Sequence, residues 1–130
     1  MDEQLIYQAI EMQKLSEETE SQLSFVNEQI EELKVFKKNL EDLSKNESEE
    51  ILAPLGRGVF VKSKIVDTRL FVEAGAGVVV RKTPQESSKI IEEQIQKFSQ
   101  ARVHLLEQLE IYRQKFGELL HEFRETKSKK

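Results

Sequence analysis

The side chains able to do chemistry in this 130-residue chain are few in kind and scattered in position. There is no cysteine, which removes disulfides, thiolate nucleophiles and thiolate metal ligands and fits a reducing compartment. The only histidines, His104 and His121, stand far apart along one helical segment, without metal-ligand spacing, and read as surface or flank positions. Gly56-Arg57-Gly58 and Gly75-Ala76-Gly77 are short glycine pairs. Neither continues as a phosphate-binding loop or a dinucleotide fingerprint, because the lysine and hydroxyl residue of a Walker motif are missing, so both read as turns. The many glutamates lie on exposed helix faces and do not converge, and no nucleophile has a base to activate it. No catalytic residue, cofactor or metal site is therefore expected, and an enzyme reading has no residues to rest on. Lys127, Lys129 and Lys130 form a short basic run without aromatics, which reads as a solvated end and not as a nucleic-acid site.

Composition narrows the class further. The chain is 34% charged and 38% hydrophobic, too charged for a compact globule and too regularly patterned for disorder. No apolar run reaches the roughly 18 residues of a membrane span, and no basic segment followed by an apolar one opens the chain, so neither a membrane helix nor a signal peptide is expected and a cytoplasmic location is the default. The net charge of −4 is unevenly spread. Residues 1–50 carry 14 acids and 5 bases, residues 51–84 carry 2 acids and 6 bases, and residues 85–130 carry 8 acids and 9 bases. An acidic first segment and a basic centre can bias pairing, although solvated helix faces produce the same pattern.

The elements that must position any site follow from spacing. In the second half, Ile91, Ile95, Phe98, Arg102, Leu105, Leu109, Tyr112, Phe116, Leu119 and Phe123 step by four and three, a coiled-coil seam broken only by Arg102. Thr83 as N-cap, Pro84 in the first helical position and Glu86 as the capping-box acid mark its start. In the first half, from a start near Asp2, Leu5, Met12, Thr19, Val26, Leu33 and Leu40 repeat every seven residues, with Ala9, Ser16, Leu23 and Ile30 between them. Lys37 interrupts this register, and the seam is expected to pass to Phe36 and Leu43. Asn46 and the polar run to Glu50 mark the helix exit. Each helix of ~40 residues is ~60 Å long. An antiparallel pairing is expected, in which opposed residue numbers sum to about 131: Leu40 near Ile91, Val26 near Leu105, Met12 near Leu119.

Between the helices lies a β island, residues 51–83. Strands are expected over Ile51–Leu55, Val59–Ile65, Arg69–Glu73 and Val78–Lys82, with the glycine pairs as the turns of two hairpins and Asp67-Thr68 as the connection. Small hairpins are marginal alone, and their edges invite pairing. Phe60, Ile65, Phe71 and Val78, Val79 and Val80 have too little partner surface in one chain. The island is therefore expected to assemble with other subunits through these residues together with Leu55, Val59, Val61, Leu70 and Val72. The expected class is α+β: a long antiparallel two-helix coiled coil with two central hairpins that assemble into an intersubunit β-barrel. The whole of 1–130 then forms one domain: helix 1–50, hairpins 51–83, helix 84–130.

The far end of the pair, where both chain ends meet, is unexpectedly apolar. Leu5, Ile6, Ile10 and Met12 lie there on the first helix, and Phe116, Leu119, Leu120 and Phe123 on the second. Leu5, Met12, Phe116, Leu119 and Phe123 fit the seam. Ile6, Ile10 and Leu120 lie beside it without an obvious partner, which marks a binding surface. Gly117 loosens this end of the helix, by about 1 kcal/mol relative to Ala.

The stretch APLGRGVFVKSKIVDTRLFVEAGAGVVVRKTPQES resembles the alpha class of prefoldin, of archaeal type. The resemblance rests on Pro54-Leu55-Gly56, on Gly75-Ala76-Gly77, on Val78-Val79-Val80 and on Lys82-Thr83 leading into the second helix. Two hairpins, where the beta class has one, support the alpha class. Where that family often has Tyr-x-Val-Glu, this chain has Val78-Val79-Val80-Arg81, without the aromatic and the acid. The resemblance implies a hexamer of two alpha and four beta subunits, with hairpins in paired β-barrels and the coiled coils hanging below. It implies ATP-independent binding of non-native polypeptides at the tips, here the eight residues just named, and delivery to a group II chaperonin. Nucleic acid and membrane are not implied as partners. A structural, adaptor or filament-forming subunit with one fixed partner stays open as the second reading.

Overall fold

The computed structural model describes residues 2–45 and 50–128. Its elements, in chain order, are α1 (Asp2–Lys45), β1 (Glu50–Gly56), β2 (Val59–Lys64), β3 (Leu70–Glu73), β4 (Val79–Lys82) and α2 (Pro84–Ser128). The order is the expected one, with two long helices around two hairpins. The strand ends differ from expectation by one residue: β1 is longer at each end, β2 and β3 each lose one residue to the connection between the hairpins, and β4 loses Val78 to the second glycine turn. The expected helix exit at Asn46 lies outside the described residues.

α1 runs for 44 residues without Gly or Pro, on residues of good helix propensity such as Leu, Glu, Lys and Gln. α2 begins as its sequence requires. The Thr83 Oγ1 accepts a hydrogen bond from the Glu86 N–H at 3.1 Å, and the Thr83 carbonyl accepts one from the Ser87 N–H at 3.0 Å. Two donors of the first turn are thereby satisfied, and Pro84 stands where no donor is needed.

The chain forms two compact units, one drawing on the chain up to Glu31 and from Gln96 onward, the other running from Glu32 to Ile95. In the first unit the early part of α1 runs antiparallel to the later part of α2. Val26, Ile30 and Leu109 are its buried apolar residues, Ile30 almost completely. Thr19, also in the seam, is buried but not orphaned, because its hydroxyl donates to the Leu15 carbonyl at 2.7 Å. Leu5, Ala9, Met12, Ser16 and Leu23 on α1, and Phe98, Arg102, Leu105, Tyr112, Phe116, Leu119 and Phe123 on α2, are half-buried, which is the heptad seam of the sequence. Arg102 stays in the seam because its aliphatic stem can cover apolar neighbours while the guanidinium reaches water.

In the second unit Leu40 and Ile91 are buried, and Leu33, Lys37, Leu43 and Ile95 half-buried. The seam does not pass to Phe36. Lys37 keeps its place, its Nζ 3.7 Å from Glu92 Oε2, and Phe36 remains 52% exposed. A lysine survives at a seam position here because its ammonium finds a carboxylate on the other helix. The two hairpins form separate two-stranded sheets, β1–β2 and β3–β4, both antiparallel. Gly56 (φ 120°) and Gly58 (φ 78°) bracket the first turn, Gly75 (φ 105°) and Gly77 (φ 76°) the second, conformations that side chains adopt only with strain.

Candidate functional site

The first surface lies in the unit of paired helices, at the end nearest Asp2 and Ser128. Early α1 supplies Leu5, Ile6, Ala9, Ile10 and Gln13, and late α2 supplies Phe116, Leu119, Leu120 and Phe123. Together they line one open apolar cleft of about 230 Å³. Seven of the eight apolar residues nominated from sequence therefore meet in one place. The eighth, Met12, lines the neighbouring cleft with Leu119, under a charged rim of Glu11, Lys115, Glu118 and Glu122. Residues of the seam are half-buried, whereas Ile6 is 45% and Ile10 58% exposed. The heptad explains the difference: Leu5 and Ala9 point at α2, so Ile6 and Ile10 must flank the seam. A cleft of this kind offers apolar area and adaptable side chains with few fixed polar partners, which suits extended apolar segments of varied sequence and no single defined ligand.

The second surface is the pair of hairpins. In the first, Ile51 opposes Ser63 and Ala53 opposes Val61, while Leu52 opposes Lys62 and Pro54 opposes Phe60. Strand alternation then puts Ile51, Ala53, Val59 and Val61 on one face and Leu52, Pro54, Phe60, Lys62 and Lys64 on the other. Val59, Phe60 and Val61 are all exposed, so neither face is covered. The register shifts between Pro54 and Gly56, leaving Leu55 as a bulge residue, 70% exposed.

The second hairpin is different. Its Leu70, Val72 and Val80 are half-buried. Leu70, Phe71 and Val72 join Leu33 and Phe36 of α1 and Ile90 and Ile91 of α2 around a cleft of about 410 Å³. Ser87 also lines this cleft, and its buried Oγ has no hydrogen-bond partner among the described residues. Strand alternation puts Phe71, 69% exposed, Glu73, Val79, 57% exposed, and Arg81 on the other face of the ladder, although Phe71 and Glu73 also reach the cleft. Phe71 opposes Arg81, whose guanidinium carbon sits 5.3 Å from the ring centroid, a cation–π contact worth about 0.5–1 kcal/mol at an exposed site. Val78 closes the turn, its N–H bonded to the Gly75 carbonyl at 3.0 Å and its own carbonyl accepting from the Ala74 N–H at 2.8 Å. Between the hairpins, Ile65 is half-buried and Val66 is 89% exposed. There Asp67 accepts from the Arg69 N–H at 3.0 Å and takes its guanidinium with Oδ2 at 2.7 Å. That pairing holds the Asp67 carboxyl down at about 2.

Among the described residues no group of acidic, histidine or cysteine side chains is arranged to hold a metal ion, and no helix is long and apolar enough to cross a membrane.

Comparison with known proteins bears on the family and the fold. A family model described as Prefoldin subunit matches residues 12–129. Prefoldin subunit alpha 1 of Thermococcus kodakarensis is 41% identical over 69 residues, which are 52% of this chain and 47% of that one. Prefoldin subunit alpha 2 of the same organism is 34% identical over 87 residues, 66% of this chain and 61% of that one. The matched stretch thus spans about half to three fifths of these two relatives. Prefoldin subunit alpha of Pyrococcus horikoshii is 28% identical over 130 residues, covering 98% of this chain and 88% of the relative. Among solved structures, a chain of the filamentous PFD from Methanocaldococcus jannaschii, determined by cryo-EM, superposes with a TM-score of 0.74 at 20% identity, over 89% of this chain and 98% of that one. This last likeness is one of fold.

Proposed function

The chain belongs to the prefoldin subunit family, and from that premise we propose that it is the alpha-class subunit of an ATP-independent chaperone that grips non-native polypeptides at the helix ends. Membership makes it a chaperone-type subunit; the gripping site, the assembly and the hand-over are the proposal. The observation that carries it is the apolar cleft built by Leu5, Ile6, Ile10, Phe116, Leu119, Leu120 and Phe123. Exposed Ile6 and Ile10 adjoin half-buried Leu5, Phe116, Leu119, Leu120 and Phe123, so the apolar area there is contiguous, as a site for unfolded chains needs. Single clefts of this size bind weakly, so affinity comes from several tips acting on one client chain.

The hairpins supply the copies. Both faces of the first hairpin are bare, and the strands total too little buried surface to be stable alone. In this proposal Leu55, Val59, Phe60, Val61, Ile65, Leu70, Phe71, Val72, Val78, Val79 and Val80 form the contacts with neighbouring subunits. The assembly is a closed complex of two alpha and four beta subunits in the cytoplasm, which passes clients to a group II chaperonin. The chain then acts as one domain, with no catalytic residue and no cofactor.

The test is native mass spectrometry of the chain with a beta-class subunit, followed by an aggregation assay on a denatured protein without nucleotide. A six-chain complex that suppresses aggregation is the expected result. An open series of masses would favour a filament-forming subunit, and a six-chain complex without protection would overturn the chaperone reading.

A further inference from the structure

The two flanks of the helix pair differ in chemistry at the end nearest Asp2 and Ser128. Ile6, Ile10 and Leu120 each follow a seam residue by one place and open on the apolar cleft, whose lining residues carry no charge. Glu11, Glu118 and Glu122 each precede a seam residue by one place, so the heptad puts them on the opposite flank. There they rim a groove of about 320 Å³ floored by Met12 and Leu119. Leu119 lines both hollows, so the apolar floor of one continues into the other. The groove holds three carboxylates against one ammonium, that of Lys115, a net of −2. All four charged side chains are exposed, and among the described residues none of them makes an ion pair. Glu18, which precedes Thr19, extends the acidic rim along the same flank. The other charges of this end are placed elsewhere. Arg113 is tied to Glu20 at 2.7 Å, and His121 Nε2 lies 3.1 Å from Glu125 Oε1. Arg124 follows Phe123, as Glu17 follows Ser16, onto the flank of the apolar cleft, and Lys14 lies on the outer face of α1.

We infer that this end prefers client segments that carry lysine or arginine beside their apolar residues, with the cation lying in the Met12–Leu119 groove. The inference rests on the reading of this end as the client site and adds the client's chemistry to it. The make-up of the groove argues for that occupant. A Lys or Arg side chain is an aliphatic stem with a cation at its tip, so the stem covers Met12 and Leu119 while the head reaches the carboxylates. A neutral apolar side chain covers the same floor and gains nothing from the rim, and an acidic one is repelled by it. Exposed carboxylates act weakly one at a time, and at ordinary ionic strength salt screens them beyond roughly 10 Å. The preference is therefore several-fold, added to the apolar grip, and is not an on–off switch.

The experiment uses the full chain and a set of fluorescent peptides with the same Leu and Phe anchors, in which the remaining positions are all Lys, all Ser or all Glu. Fluorescence anisotropy gives their affinities at low and high salt. The Lys peptide should bind about threefold or more tighter than the Ser peptide, and the Glu peptide weakest, with the spread shrinking at high salt. Changing Glu11→Gln, Glu118→Gln and Glu122→Gln together should bring the affinities into line and leave that of the Ser peptide unchanged. Lys115→Gln, which leaves the groove its acids alone, should widen the spread. Circular dichroism checks that both variants keep their helices. Equal affinities for the wild-type chain, as when Lys127, Lys129 and Lys130 of its own end fill the groove, would overturn the inference. So would a Lys preference that survives the triple change, or a spread that Lys115→Gln narrows. In those cases Ser-peptide binding that falls with Ile6→Ser and Ile10→Ser leaves the client site itself standing. A Ser peptide that does not bind, or that binds regardless of those two changes, would overturn the client site as well.

Discussion

Arg113 and Glu20, 93 residues apart in the chain, meet with Nη2 2.7 Å from Oε1 and tie α2 to α1. Both side chains are at least half exposed to water. Their positions agree with the antiparallel register that the apolar spacing demands, and Lys37 with Glu92 agrees with it in the other unit.

The ion pair marks this register and does not enforce it. Exposed pairs contribute about 0–1 kcal/mol, whereas removing a fully buried aliphatic chain costs about 2–5 kcal/mol. Arg113→Ala should leave the melting temperature almost unchanged, and Ile30→Ala, at a residue 1% exposed, should lower it by several degrees. Thermal unfolding followed by circular dichroism checks both.

The cap on α2 contributes separately. Thr83→Ala removes the acceptor of the Glu86 N–H and should destabilise by about 1 kcal/mol, while Thr83→Asp, which keeps an acceptor, should be close to neutral. Urea unfolding of the three proteins gives the comparison.

At the cleft, Ile6→Ser and Ile10→Ser together remove apolar area that the seam does not use. Protection of a denatured protein from aggregation should fall several-fold, with unfolding and subunit stoichiometry unchanged. An unaltered assay would remove these two residues from the client site.

Val61→Asp puts a charge on the apolar face of the first hairpin. Native mass spectrometry should then find subunits that no longer assemble, with the helical signal retained.

Acid should act on the connection between the hairpins. The Arg69 guanidinium favours the ionised form of Asp67 and lowers its pKa from 3.8 to about 2. The folded value lies below the unfolded one, so this contribution is complete above 3.8 and is lost as pH falls through 2. NMR titration of the Asp67 carboxyl should find the low midpoint, and Arg69→Gln should return it towards 3.8.

The sequence alone determined the elements and the helix seam. Heptad spacing, the Thr83-Pro84-Glu86 cap and the glycine turns act through neighbours at most a few residues apart, so they are legible without coordinates. So were seven of the nine residues around the cleft, because an apolar residue beside a completed seam is conspicuous wherever the chain folds. Tertiary structure decided what depends on distant partners. Lys37 holds its seam position because Glu92 arrives from the other helix, and Phe36 is thereby left to the cleft beside β3. The bulge at Leu55 sets how β1 meets β2, and hairpin pairing brings Arg81 over Phe71. No local pattern encodes these contacts, because each depends on strand register or on an ion pair between segments far apart in the chain.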